Sequence, residues 1–260
     1  MPTGALTEYM DVAQVALYAF WIFFAGLVYY LHRENKREGY PLVAEDRTNG
    51  RVVVQGFPAV PPPKTFTLRN MTTYQAPPGN VDERPIAAKP TAPWPGAPLA
   101  PTGNPLVDGV GPAAYAMRED APDLTVLDKP RIVPIRVAPD HHVDPRDPNP
   151  VGMRVLGADN QVAGVVRELW IDRTEPGVRY LEVEVPVAEG TRTVLMPMTM
   201  LKINGARREV RTGAILASQF ADIPGLKNPN QVTKLEEDMI TGYFAGGYLY
   251  ATPARQEPLI

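Results

Sequence analysis

Cysteine is absent from the 260 residues, which excludes disulfides, thiolate metal sites and cysteine nucleophiles. Histidine is scarce: His32, His141 and His142 are all there is, so a zinc site or a histidine-dependent triad has little to draw on. An excess of basic charge is missing too. The formal net charge is −3 and the isoelectric point about 5.7, with no arginine-rich stripe, so nucleic-acid binding has little support. A nucleophile elbow, a phosphate loop and a metal-ligand cluster are all lacking, which argues against a membrane-anchored hydrolase using the carboxylates. Internal repeats do not occur.

What is plentiful is proline. Its 30 residues are more than double the usual share of roughly 5%. Much of the backbone must therefore be extended or turning, because proline fixes φ and removes an amide donor.

Val12 to Leu31 reads VAQVALYAFWIFFAGLVYYL, twenty residues without a charge. At 1.5 Å per residue it spans about 30 Å, the thickness of a bilayer's hydrocarbon core. A buried soluble helix would carry a polar stripe, and this one has none. A signal peptide would have a basic leading region and a small-residue cleavage site. Here Glu8 and Asp11 precede the span, and it runs into Tyr29-Tyr-Leu-His-Arg33. The reading is a transmembrane helix over 12–31 with a polar extension to 38, ended by Gly39 and Pro41. Arg33, Lys36 and Arg37 follow the span and no Lys or Arg precedes it. The positive-inside rule then puts residues 1–11 in the periplasm and everything after the span in the cytoplasm. Tyr29 and Tyr30, at the interfacial end, and Arg33, Lys36 and Arg37 are the residues expected to meet lipid headgroups. The span has no histidine to ligate a pigment.

Residues 39–145 form the next block. Between 58 and 112 lie 14 prolines, and no helical period survives, so the stretch should be irregular or polyproline-like. Phe57, Phe66, Leu68, Tyr74, Ile86, Trp94, Leu99 and Val107 recur through it. A solvated linker has little use for them, so an extended segment laid over partner subunits is expected.

From about 146 to 250 the texture changes to short strands with turn signals: Gly152–Leu156, Val162–Ile171, Val178–Val185, Arg192–Pro197 and Arg208–Arg211. The third alternates from Tyr180, with Tyr180, Glu182 and Glu184 against Leu181, Val183 and Val185. Asp172-Arg-Thr-Glu-Pro-Gly177 is a turn. A small antiparallel barrel is expected. Thr233 with Glu236 three residues on is a capping-box pattern, and the helix it opens should run to about Ala245 and stop at Gly246-Gly247. A tail, 251–260, closes the chain. The fold class expected is thus a membrane-anchored, mostly-β protein: one N-terminal helix, a proline-rich extended region, a small β-barrel and a short C-terminal helix.

Specific stretches point further. They are Tyr18-Ala-Phe-Trp-Ile22 with Ala25-Gly-Leu-Val-Tyr-Tyr-Leu31, Arg37-Glu-Gly-Tyr-Pro-Leu42, Pro63-Lys-Thr-Phe66, Ala100-Pro-Thr-Gly-Asn-Pro-Leu106 and Asp108-Gly-Val-Gly-Pro112. Leu169-Trp-Ile-Asp-Arg173, Arg179-Tyr-Leu-Glu-Val-Glu184 and Ala245-Gly-Gly-Tyr-Leu-Tyr-Ala251 complete the set. In this order they resemble the H-subunit family of purple-bacterial photosynthetic reaction centres, and the barrel resembles the PRC type. The alternative is a non-photosynthetic, membrane-anchored PRC-barrel adaptor, which would not need the proline-rich motifs.

The resemblance implies a non-catalytic subunit that binds no pigment of its own. It would cap the cytoplasmic face of the L and M subunits, which carry bacteriochlorophyll, bacteriopheophytin, quinones and non-haem iron. A light-harvesting antenna ring, a periplasmic cytochrome and membrane lipids would be further neighbours, in the intracytoplasmic (chromatophore) membrane. It also implies help in moving protons to the secondary quinone. By motif, Asp172 and Glu175 match the family's acidic pair facing that quinone and Arg179 a nearby basic residue. Taken alone, a solvated acidic hairpin tip is the plainer reading of this turn. For proton uptake, the loop before Arg131-Ile-Val-Pro134 offers Asp120, Asp123 and Asp128, of which Asp123 and Asp128 are the candidates. No histidine stands there, and His141 and His142 are not positional matches. Leu235-Glu-Glu-Asp238 also matches, with Met239 where a lysine is common; it reads mainly as helix N-terminal chemistry.

Overall fold

Asp11 starts the first element by accepting the amide of Gln14 at 2.7 Å, the bond an N-cap side chain supplies. Helix α1 then runs Val12–Asn35, and none of its residues is buried within the chain. It stops three residues short of the expected polar extension. The amides of Lys36 and Arg37 turn back to the carbonyls of Arg33 and Glu34, and Gly39 follows at φ 74°. The computed structural model describes residues 4, 10–45, 51–79, 82–94, 96–175 and 177–256. Contacts divide the chain into two compact units, 1–83 with 91–98 and 84–90 with 99–260.

The proline-rich stretch is more ordered than its composition implies. β1 (Leu42–Glu45) pairs with β2 (Arg51–Val54), β3 (Lys64–Thr67) with β4 (Thr73–Ala76), and β5 (Ala88–Pro90) with β6 (Leu99–Pro101), each antiparallel. The prolines do not forbid this. Pro61–Pro63 stand before β3 and Pro77 after β4, while Pro90 and Pro101 sit at strand ends, where a missing donor costs little.

The second unit holds the core. β7 (Ile132–Pro134), β8 (Arg154–Leu156), β9 (Val162–Asp172), β10 (Gly177–Val187), β11 (Gly190–Pro197), β12 (Lys202–Asn204) and β13 (Glu209–Arg211) form one sheet. Its order is β11-β10-β9-β8-β13-β12, with β7 also on β9. Every pair is antiparallel except β8–β13, which is parallel; a long excursion through β9–β12 separates those two strands, and such a crossover permits it. Trp170, Leu181, Val183, Leu195 and Met196 are sealed inside with Phe220 and Phe244. Each buried large side chain contributes about 1.5–3 kcal/mol.

α2 (Lys234–Tyr250) begins as expected: Thr233 and Glu236 close a capping box, with bonds of 3.1 and 2.8 Å. Its end differs. The helix passes straight through Gly246 and Gly247, both buried. A Cβ on Gly246 would lie 2.5 Å from the Ala113 Cβ, and one on Gly247 2.5 Å from the Ala214 carbonyl oxygen. These glycines are spacers for close packing rather than a stop.

Candidate functional site

The site grows from the β9–β10 hairpin. Asp172 is the last residue of β9 and stands opposite Ile132 in the register of β7, so Arg131, one residue earlier, falls beside it. The Arg131 Nε lies 2.8 and 3.0 Å from the two Asp172 carboxylate oxygens, and its Nη2 is 2.8 Å from Oδ2. Oδ1 also accepts the Thr174 hydroxyl at 2.7 Å, the Thr174 amide at 2.8 Å and the Glu175 amide at 3.2 Å. This is the aspartate-capped turn that short polar side chains favour.

The Asp172 side chain is only 1% exposed. Burial works to raise its pKa, but the Arg131 guanidinium and the Thr174 and Glu175 donors outweigh it and hold the carboxyl well below the usual range. Asp172 is thus a fixed negative charge at neutral pH.

Arg131 gathers two more acids. Its Nη1 lies 3.3 Å from Asp123, and its Nη2 lies 3.8 Å from Glu175. Glu175 is 78% exposed. Backbone bonds from Arg131 to the Asp123 carbonyl and from Arg173 to the Arg131 carbonyl clamp the strands around them. Asp128 takes no part in these bonds. It sits in an exposed turn at φ 56°, next to the exposed Leu124, Val126 and Leu127.

Arg179 belongs to a neighbouring group. The β9–β10 register shifts between Val178 and Tyr180, leaving Arg179 in a bulge, a device that re-aims a side chain. With Tyr180 and Thr241 it lines a cleft of about 250 Å³. The Tyr180 hydroxyl donates to Glu237, in the first turn of α2, at 2.9 Å. Burial pushes the Tyr180 phenol well up, and the Glu237 charge adds to it. Burial likewise raises Glu237, against the pull of Tyr180, Arg179 and Arg118; the charge of Asp123 pushes it further. Asp123 therefore couples the two groups. Glu236 and Asp238 are occupied otherwise, Glu236 in the cap and Asp238 by Arg118 at 3.4 Å and the Ala116 amide at 3.2 Å.

The structure thus brings Asp123, Asp172 and Glu175 onto one guanidinium and sets Arg179 beside Tyr180 and Glu237. Sequence reasoning missed Arg131, Tyr180 and Glu237 as site residues. Tyr180 at the start of a strict alternation, and an acid beyond those a capping box uses, were the available signals. Among the described residues, no three of His, Asp and Glu gather as a metal site would require.

The headgroup candidates divide. Arg33, Tyr29 and Tyr30 are exposed, with the Tyr29 ring 6.3 Å from Phe57. Lys36 is buried. Its ammonium donates to the carbonyls of Gln55 and Pro58 at 2.7 and 2.8 Å and lies 5.0 Å from the Tyr40 ring centroid. Arg37 pairs with Glu34 at 2.9 Å and donates to the Pro62 carbonyl.

An apolar helix of membrane-spanning length, proline-framed ribbons and a small β-domain bearing an arginine-bound acid cluster are the class of structure the chain presents. Residues 4–137 match the family described as the photosynthetic reaction centre, H-chain N-terminal region, and residues 145–214 match the PRC-barrel domain. The first match covers half of the chain, so this protein belongs to the reaction-centre H-chain family. It extends over the anchor and the proline-rich stretch, which the adaptor alternative does not need. Together with α1, the helix long and apolar enough to cross a membrane, family membership makes this a single-pass membrane protein associated with a reaction centre.

Proposed function

We propose that this chain caps the cytoplasmic face of the L and M subunits of a purple-bacterial reaction centre and helps protons reach the secondary quinone. The N-terminus lies in the periplasm and the β-domain in the cytoplasm, at the intracytoplasmic membrane. The pigments, quinones and non-haem iron belong to L and M, and an antenna ring and a cytochrome complete the surroundings. The chain is not itself a catalyst. The exposed apolar tip at Leu124, Val126 and Leu127 supports a partner-facing loop, since such patches mark contact surfaces.

The observation that carries the relay is the convergence of Asp123, Asp172 and Glu175 on Arg131. A proton relay needs ionisable groups within hydrogen-bond or one-water reach. Asp172 supplies standing charge. Glu175, exposed at the same guanidinium, exchanges the proton, and Arg179 and Asp123 tune the field around Glu237, which burial has brought closer to neutrality. Asp128 stands at the outer turn where protons are first collected.

The test is Glu175→Gln in the assembled complex. Flash spectroscopy should show primary charge separation unchanged and proton-coupled transfer of the second electron slowed about tenfold or more. An unchanged second-electron rate would remove Glu175 from the relay.

A further inference from the structure

A second feature of the β-domain lies outside this relay. β12 and β13 are antiparallel neighbours with Lys202 directly opposite Arg211. Residues directly opposed across an antiparallel pair project from the same face, and like charges there are destabilising. The chain has more acids than bases, so an opposed Lys–Arg pair calls for a reason. The two cations line a cavity of about 480 Å³ together with Gly157, Asn160, Gly213 and Tyr248, and no carboxylate lines it. The volume falls within the range of small-molecule sites. Arg211 reaches the buried Glu209 only at 3.5 Å, while Lys202 is exposed. Gly213 lies against the Tyr248 ring, where a Cβ would make ordinary contact at 3.9 Å. Tyr248 is half-exposed and brings an aromatic ring and a hydroxyl to the same cavity.

We infer that this cavity binds a phosphate monoester, its dianion held between Lys202 and Arg211 and its organic portion lying against Tyr248. Two cations match a doubly charged group, and arginine's fork suits phosphate oxygens in particular. Glu209 offsets part of the Arg211 charge, and a dianion between the two cations would offset the rest. The site shares Thr199 with the Arg179 cleft and none of the relay acids. A soluble phosphorylated compound and a phosphatidic-acid headgroup carry the same chemistry.

The test uses the detergent-solubilised complex. Glycerol 3-phosphate should bind saturably by titration calorimetry, and Lys202→Ala and Arg211→Ala should each weaken it about tenfold or more, the loss expected for one charge-assisted bond. Lys202→Arg should retain binding. Lys202→Glu supplies an independent reading, because it turns the repulsive pair into an attractive one. It should raise the unliganded thermal midpoint while abolishing the upward shift that glycerol 3-phosphate gives the wild type. In a second arm, short-chain phosphatidic acid and short-chain phosphatidylcholine are titrated into the same complex. Binding of phosphatidic acid, but not phosphatidylcholine, that is tighter than that of glycerol 3-phosphate and is removed by Lys202→Glu assigns the site to the lipid headgroup; binding of glycerol 3-phosphate without phosphatidic acid assigns it to soluble esters. No saturable binding in either arm, or binding indifferent to these substitutions, overturns the proposal.

Discussion

At the scale of residues, what decides behaviour is which acid has company. Asp172 has six donor contacts from four groups, one guanidinium, one hydroxyl and two amides, and stays charged. Glu237 has one hydroxyl and a low-polarity surround, and its pKa rises. A carboxyl raised on folding favours the protonated fold. Its contribution to stability is fully present below the unfolded value of about 4.3 and is lost as pH rises through the folded value. Glu237→Gln mimics the protonated form. Thermal melts of the complex should show the variant more stable than wild type at pH 8, with the difference vanishing below about pH 4. A variant less stable at pH 8 would mean that the carboxylate's bond to Tyr180 outweighs its burial. Asp172 and Glu175 became candidates through the family resemblance of their turn, which by itself read as a solvated hairpin tip. Arg131 and Glu237 were not legible in the sequence, since their partners stand 41 and 57 residues away, and no local pattern encodes such a meeting.

At the scale of elements, the apolar run of α1, the strands β9 to β11 and the capping box of α2 were plain, each being written in a local period or motif. The short β7 was hidden, because three residues carry too little alternation to read; β8 and β13 were expected as strands, but their parallel pairing was not, since it depends on distant chain. The proline count concealed the ribbons by a different route: composition records missing donors but not that they fall at strand ends. Gly246-Gly247 misled in an instructive way, since a glycine that ends a helix and one that permits close packing look identical in sequence. Gly247→Ala separates these roles. Alanine gains about 1 kcal/mol of helix propensity, yet its Cβ meets a backbone carbonyl that cannot swing aside, and overpacking costs typically 1–3 kcal/mol. A fall of a few degrees in the thermal midpoint is expected. A rise would return the pair to a mere helix terminus.

At the scale of the whole molecule, the anchor and the β-domain fall in different compact units, and their cooperation is tested by separating them. Deleting residues 1–38 should leave the β-domain's core residues intact in number and kind, because none of them comes from that segment. Recovery of the truncated chain with L and M from membranes should nonetheless fall sharply. Normal recovery would mean that the extended region and the β-domain suffice for assembly and that α1 is dispensable.

The buried ammonium of Lys36 has a consequence for biosynthesis. In the proposed orientation, that charge is one of the three that signal which way α1 faces as it is inserted. Its carbonyl partners at Gln55 and Pro58 are made some twenty residues later, so the same atom is first a signpost and then, once the following chain has emerged, a bolt. Arginine at this position would still be read as a signpost, since its charge is the same. Its broad planar head would not fit a clasp shaped for a compact ammonium. Orientation in the membrane and locking of the helix end are therefore separable by one exchange that leaves net charge untouched.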